Sequence, residues 1–120
     1  INEKVKIITD EHSTPIIADD FARIILHSVE KNLKGLYHAA PHTKITRYDF
    51  CQKLAQNLGL NQDLIIPVTS KELGRDVMTG LNKCLDSNKM AKTGFKFMTL
   101  EESFSLLKKQ IGKKSYTLIP

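Results

Sequence analysis

From Phe21 to Leu33 the apolar residues Phe21, Ala22, Ile25, Leu26, Val29 and Leu33 recur at a helical period, with a short apolar run on either side. Val5–Thr9 before them reads as a strand entered from the tail of a preceding helix, and Leu36–Ala39 after them as a second strand. The helix is expected to open at Asp19 or Asp20 and run to about Asn32. Arg23, His27, Glu30 and Lys31 lie mostly on its other side, and Gly35 ends the element. The alternation then repeats. Thr46, with Asp49 three residues on, caps a helix that carries Phe50, Cys51, Leu54, Ala55 and Leu58 inward and closes at Gly59. Leu64–Thr69 reads as a third strand, and Pro67 makes it an edge or a very short one.

The remainder is loop and short helix. Asp10–Pro15 and Pro41–Lys44 read as loops, as does most of Ser70–Lys83. Lys83–Leu85 is a brief extended piece, and Ser87 is expected to cap a short helix through Lys92, stopped by Gly94. Thr99 and Glu102 form a capping-box pair that opens a last helix, with Leu100, Phe104, Leu107 and Ile111 on one stripe. The tail Lys113–Pro120 finds no partner in the sequence. Short strands alternating with amphipathic helices give an α/β or α+β piece in a single domain, residues 1–120. Three or four strands this short make a small sheet that is expected to lean on something larger.

A chain of 120 residues can bury roughly two-thirds of its unfolded surface without staples. Hydrophobic residues are 41% and charged residues 26%, an ordinary soluble composition. No apolar run approaches the ~20 residues of a membrane helix, and the first ten residues lack the core of a signal peptide, so no membrane partner is expected. The chain begins without Met, which suggests that the true start lies upstream. Eighteen Lys and Arg against 13 Asp and Glu give a net charge of +5. The excess is diffuse, densest at Lys108, Lys109, Lys113 and Lys114, where cations suit a helix C-terminus. No aromatic residues interleave with the cations, so a nucleic-acid partner rests on net charge alone and is not expected. Cys51 and Cys84 have neither metal nor redox spacing. They read as free thiols, Cys51 as a small core residue, and cytoplasm is the expected compartment.

Several chemistries are missing. The glycines at 35, 59, 74, 80, 94 and 112 never fall in a phosphate-cradling spacing, and none of Tyr37, Tyr48 and Tyr116 precedes a Lys by four residues. No cofactor is therefore expected on this chain and no catalytic residue is assigned. His38 and His42 are four apart, but Pro41 opposes the helix that would align them, so no metal site is expected and His38 reads as structural. No strand–G-x-S-x-G–helix context supports a hydrolase.

The positive signal is an ordered series. Asp10-Glu11-His12-Ser13-Thr14-Pro15 precedes Asp19-Asp20-Phe21-Ala22. Then come Gly35-Leu36-Tyr37-His38, Thr46-Arg47-Tyr48-Asp49-Phe50, and Asn82-Lys83-Cys84-Leu85-Asp86 ahead of Lys89 and Gly94. This series resembles the C-terminal half of dTDP-4-dehydrorhamnose reductases, which are extended short-chain dehydrogenase/reductases. Their pattern runs D-Q-x-G-x-P-T, D-L-A, G-x-Y-H, T/S-x-Y-x-F and N-x-x-L-D. The resemblance covers about Val5 to Ile111, and the regulatory β subunit of methionine adenosyltransferase shares it. Ser13-Thr14-Pro15 departs from the G-x-P-T spelling, and Thr79-Gly80 stands where the pattern has Arg-Pro. Thr79 cannot grip a phosphate bidentately as Arg would.

The resemblance implies a small α/β substrate domain whose cofactor-binding Rossmann domain is absent here. NADPH or NADH is expected for the parent, and a 4-keto sugar nucleotide such as dTDP-4-dehydrorhamnose as its substrate. This part would close over the sugar nucleotide, orienting it and excluding water. On that basis Asp10, Ser13, Thr14, Lys71 and Arg75 are the candidate substrate-binding residues. Turn chemistry explains Asp10 and Ser13 equally well, and Asp19 and Asp20 suit a helix start. The alternative is a non-catalytic regulatory or assembly module of the same fold. Either way, cutting away a covering domain is expected to leave an apolar face open to self-association.

Overall fold

The computed structural model describes residues 3–75 and 81–113. In chain order these form β1 (Val5–Ile8), β2 (His12–Ser13), α1 (Ala18–Glu30), β3 (Ile45–Thr46) and α2 (Arg47–Leu58). A 3-10 turn (Gln62–Leu64), β4 (Ile65–Val68), β5 (Asn82–Lys83), α3 (Asn88–Ala91) and α4 (Leu100–Lys113) follow. The chain is thus a small α/β fold with four described helices and short strands. Thr79, Gly80 and the tail from Lys114 onward lie outside the described residues, and so do Ile1 and Asn2.

β1 and β4 pair in parallel, Val5 opposite Ile65 through Ile8 opposite Val68, which sets Pro67 against Ile7. The second sheet has β2 at its centre, antiparallel to β3 and parallel to β5. Residues 10–15, expected to be all loop, therefore contain a strand. Two residues give no readable period, and β2 exists because β3 and β5 arrive on both sides of it. The expected strand at 36–39 joins no ladder among the described residues, and Leu36 is 78% exposed.

The caps agree with the sequence in part. Thr46 Oγ1 accepts the Asp49 N–H at 3.0 Å, and Gly59 ends α2 at φ +70°, a conformation that a side chain would resist. Thr99 and Glu102 exchange two bonds at 3.1 Å, so the capping box is complete. Ser87 does not cap α3; Asp86 Oδ1 takes the Asn88 N–H at 2.9 Å instead. Ser87 Oγ is buried and unpartnered among the described residues. Residues 70–74 also hold more order than a loop. Thr69 and Glu72 bond reciprocally at 2.7 and 3.2 Å, closing a turn on Gly74.

The core is in two pieces. Ile24, Met90 and Phe95 form one, with Ile16, Leu33, Tyr37, Ala39 and Phe97 packed around them. Ile45, Leu100 and Phe104 form the other, against Phe50 and Leu54. Phe104 faces inward as its stripe predicts, whereas Ile111 at the stripe's end is exposed. Cys51 is partly buried, and burial pushes its thiol up. His38 is structural, its Nδ1 bonded to the Asp86 carbonyl at 3.1 Å.

Helix α1 is turned over relative to its sequence pattern. The stripe that docks is Asp20, Ile24 and His27. Asp20 Oδ2 accepts the Met98 N–H at 3.0 Å, and Oδ1 takes Arg23. His27 Nε2 meets Thr93 Oγ1 at 2.8 Å and sets its ring edge-on to Phe95. Arg23 lies over the Phe95 ring, 5.1 Å from the centroid, and donates to the Lys96 carbonyl. Polar side chains thus hold α1 to residues 93–98. The periodic apolar residues Phe21, Ile25, Leu26 and Val29 remain exposed, Val29 at 74%.

Candidate functional site

Glu11 sits between β1 and β2 with its side chain 5% exposed. A carboxylate this deep needs partners, and it has three. Arg47 Nη2 lies 3.4 Å and Lys83 Nζ 3.1 Å from Oε1, while Arg75 Nη1 lies 3.3 Å from Oε2. The second sheet explains the gathering. β3 pairs His12 with Thr46, so the next residue, Arg47, arrives beside Glu11 and donates its N–H to the Glu11 carbonyl at 3.2 Å. β5 pairs Ser13 with Lys83 on the other flank. The turn after Thr69 carries Arg75 to the remaining oxygen. The Lys83 ammonium, seconded by the two guanidiniums, holds the Glu11 carboxyl below the usual glutamate range against the opposing effect of burial.

Asp10 fixes that turn. Its Oδ1 accepts the Ser70 hydroxyl at 2.8 Å, and both oxygens take the Ser70 N–H at 3.1 and 3.2 Å. The Ser70 hydroxyl is the main cause of an Asp10 pKa below the ordinary aspartate value. Of the residues singled out from the sequence, Asp10 and Arg75 therefore belong to one arrangement, at the two ends of the 70–75 turn. Ser13 is half-buried in β2 beside it. Thr14 is buried, and its Oγ1 accepts the Leu85 N–H at 3.3 Å. Lys71 is exposed on the turn, with no side-chain bond to the Glu11 group among the described residues.

Glu11, Arg47 and Lys83 escaped the sequence reading. The pairings of Glu11 with Arg47 and Arg75 span 36 and 64 residues, that with Lys83 is longer still, and none follows a local period. One signal was present: Arg47 is a cation in the first turn of α2, where the helix dipole disfavours it.

A second feature is the bare face of α1, Phe21, Ile25, Leu26 and Val29, with the unladdered Leu36 also exposed. Clustered apolar residues of this kind are ordinarily covered. Among the described residues no helix is long and apolar enough to cross a membrane.

Comparison with known proteins gives one consistent answer. Residues 1–111 match the family described as RmlD substrate binding domain. The chain is 28% identical over 106 residues to a probable low-salt glycan biosynthesis reductase, Agl14, of Haloferax volcanii, covering 88% of this chain and 35% of that protein. The fold is similar to that of the dTDP-4-dehydrorhamnose reductase of Bacillus anthracis in complex with NADP, with a TM-score of 0.77 at 20% identity. That match covers 90% of this chain and 38% of the other. A dTDP-4-dehydrorhamnose reductase ortholog of Clostridium acetobutylicum gives 0.73 at 21% identity, over 92% and 39% of the two chains. The chain thus spans little more than a third of the relatives it matches.

Proposed function

The chain belongs to the RmlD substrate binding domain family, and from that premise we propose that it is the substrate-binding part of an NAD(P)-dependent sugar-nucleotide reductase acting on a 4-keto sugar such as dTDP-4-dehydrorhamnose. The observation that carries this reading is the inverted α1, whose polar side is docked at home and whose apolar side is bare, in a chain that spans about a third of its relatives. The bare side fits a covering dinucleotide-binding part, and the sugar nucleotide would lie between the two. Such a part would supply the nicotinamide cofactor, NADPH by analogy with the NADP-bound Bacillus anthracis reductase, together with the proton donor.

This chain's own residues would bind, orient and exclude water. Arg75 and Lys71 offer donors toward a nucleotide, Ser13 lies on the same strand as the carboxylate's neighbours, and Asp10 and Thr14 hold the wall in shape through Ser70 and Leu85. The test is turnover by the protein containing this chain and its dinucleotide-binding part. With NADPH and dTDP-4-dehydrorhamnose, loss of NADPH absorbance is expected. Bound cofactor with no turnover on any 4-keto sugar nucleotide would overturn the reading in favour of a regulatory or assembly role.

A further inference from the structure

We propose that Arg47, Arg75 and Lys83, gathered on the Glu11 carboxylate, form an anion site that takes the diphosphate of a sugar nucleotide. The identity of the ligand rests on the reading of the chain as a sugar-nucleotide domain, whereas the site itself stands on its own geometry.

Three cations, each 36 residues or more along the chain from Glu11, converge on this single buried acid. One carboxylate neutralises one of them. Among the described residues the three cations share this one carboxylate, and no second one pairs with any of them. If the cluster served only to join loops, one cation would suffice, and each extra one adds repulsion. The side chains are 56%, 45% and 40% exposed for Arg47, Arg75 and Lys83, while Glu11 beneath them is almost fully covered. Their remaining donors are therefore open to solvent above a buried acceptor.

Placement reinforces the point. Arg47 opens α2, so its charge adds to the positive end of a helix. Nothing in local helix stability favours a cation there. Lys83 and Arg47 flank β2 from opposite sides, and Arg75 closes the third side through the turn that Asp10 holds. Two guanidinium forks and an ammonium around one opening suit a ligand with several oxygens and more than one negative charge. A diphosphate has both properties. A carboxylate or a lone hydroxyl would leave positive charge unmatched.

Glu11 then acts as a positioning residue. It orders the three cations before the ligand arrives and does not touch the diphosphate.

The test is titration of the chain with inorganic pyrophosphate, dTDP and NADPH, followed by heteronuclear NMR. Pyrophosphate and dTDP are expected to shift the signals of Arg47, Arg75 and Lys83. Arg47→Met and Lys83→Met are each expected to weaken both about tenfold, the loss of one charge-assisted bond. Lys108→Met, at the far end of α4, serves as the control and should change nothing. Glu11→Gln should bind pyrophosphate more weakly than the unaltered chain, because the charge that gathers the three cations is gone. If Glu11→Gln fails to fold, the two cation variants still decide. Unchanged affinity in both cation variants, no binding of pyrophosphate, or a stronger response of the three residues to NADPH than to dTDP would each overturn the site. The two readings fail separately. A reductase that turns over while its cation variants bind dTDP normally removes the site and keeps the function. Pyrophosphate binding that the variants abolish, in a protein without turnover, keeps the site and removes the reductase.

Discussion

The carboxylate of Asp20, almost wholly buried at the start of α1, accepts the backbone N–H of Met98 at 3.0 Å across 78 residues of chain. Its second oxygen takes Arg23, so the acid anchors the helix to the segment that leads into α4. Its neighbour Asp19 is exposed and bonds only Gln110 among the described residues. Asp20→Ala is expected to cost about 1.5–3 kcal/mol, the range for bonds to a charged group, and Asp19→Ala under about 0.5 kcal/mol. Urea denaturation of the two variants checks this; equal midpoints would mean that Asp20 is an ordinary helix-start acid.

Phe104 is buried against Ile45, Leu100 and Phe50, its ring centroid 5.4 Å from that of Phe50. Phe104→Ala should cost about 3–5 kcal/mol. Ile111→Ala, on the same stripe but exposed, should cost far less. A denaturation midpoint that Phe104→Ala leaves unmoved would show that α4 is not docked.

Glu11 links stability to acidity. Its folded-state pKa is depressed by Lys83 and the two arginines, so the unfolded chain binds the proton more readily. The stabilisation is complete above the ordinary glutamate pKa of about 4.3. It is lost as pH falls through the lower folded value. The cations are substantially exposed, so solvent screening keeps the effect modest. Thermal melts from neutral pH downward should show a stability loss below about pH 4.3 that Glu11→Gln removes. A parallel decline in both proteins would contradict the assignment.

The bare face of α1 should make the isolated chain self-associate. Leu26→Lys with Val29→Glu places charge on two of its most exposed positions, and should leave the melting temperature nearly unchanged. Light scattering over a concentration series is expected to show association in the unaltered chain and a monomer in the double variant. A monomer in both would mean that the face needs no cover.

The sequence was informative where structure is local. The capping box of Thr99 and Glu102, the Gly59 stop and the inward Phe104 all depend on residues a few positions apart. The helical period of α1 was equally plain, yet it did not say which side docks at home. Periodicity records which face is apolar and not what covers it, and among the described residues that face stays exposed. The strand at 36–39 fails to form a ladder here for the related reason that a ladder needs a partner. The Glu11 group was invisible because sheet pairing, not spacing, brings Arg47 and Lys83 to it.

Pro67 has a consequence for what can be built on this molecule. Val68 turns its carbonyl toward Thr9 at 2.9 Å, and backbone direction alternates along a strand, so Pro67 turns outward, where it has no N–H to offer. A further strand laid beside β4 would meet a missing donor in the middle of a four-residue edge. The side of β1 carries no such block. Within this two-stranded sheet, exchange of a strand between copies is thereby steered to Val5–Ile8, and a fibre that extended the sheet from both edges would find only that edge, among the described residues, free of such a block.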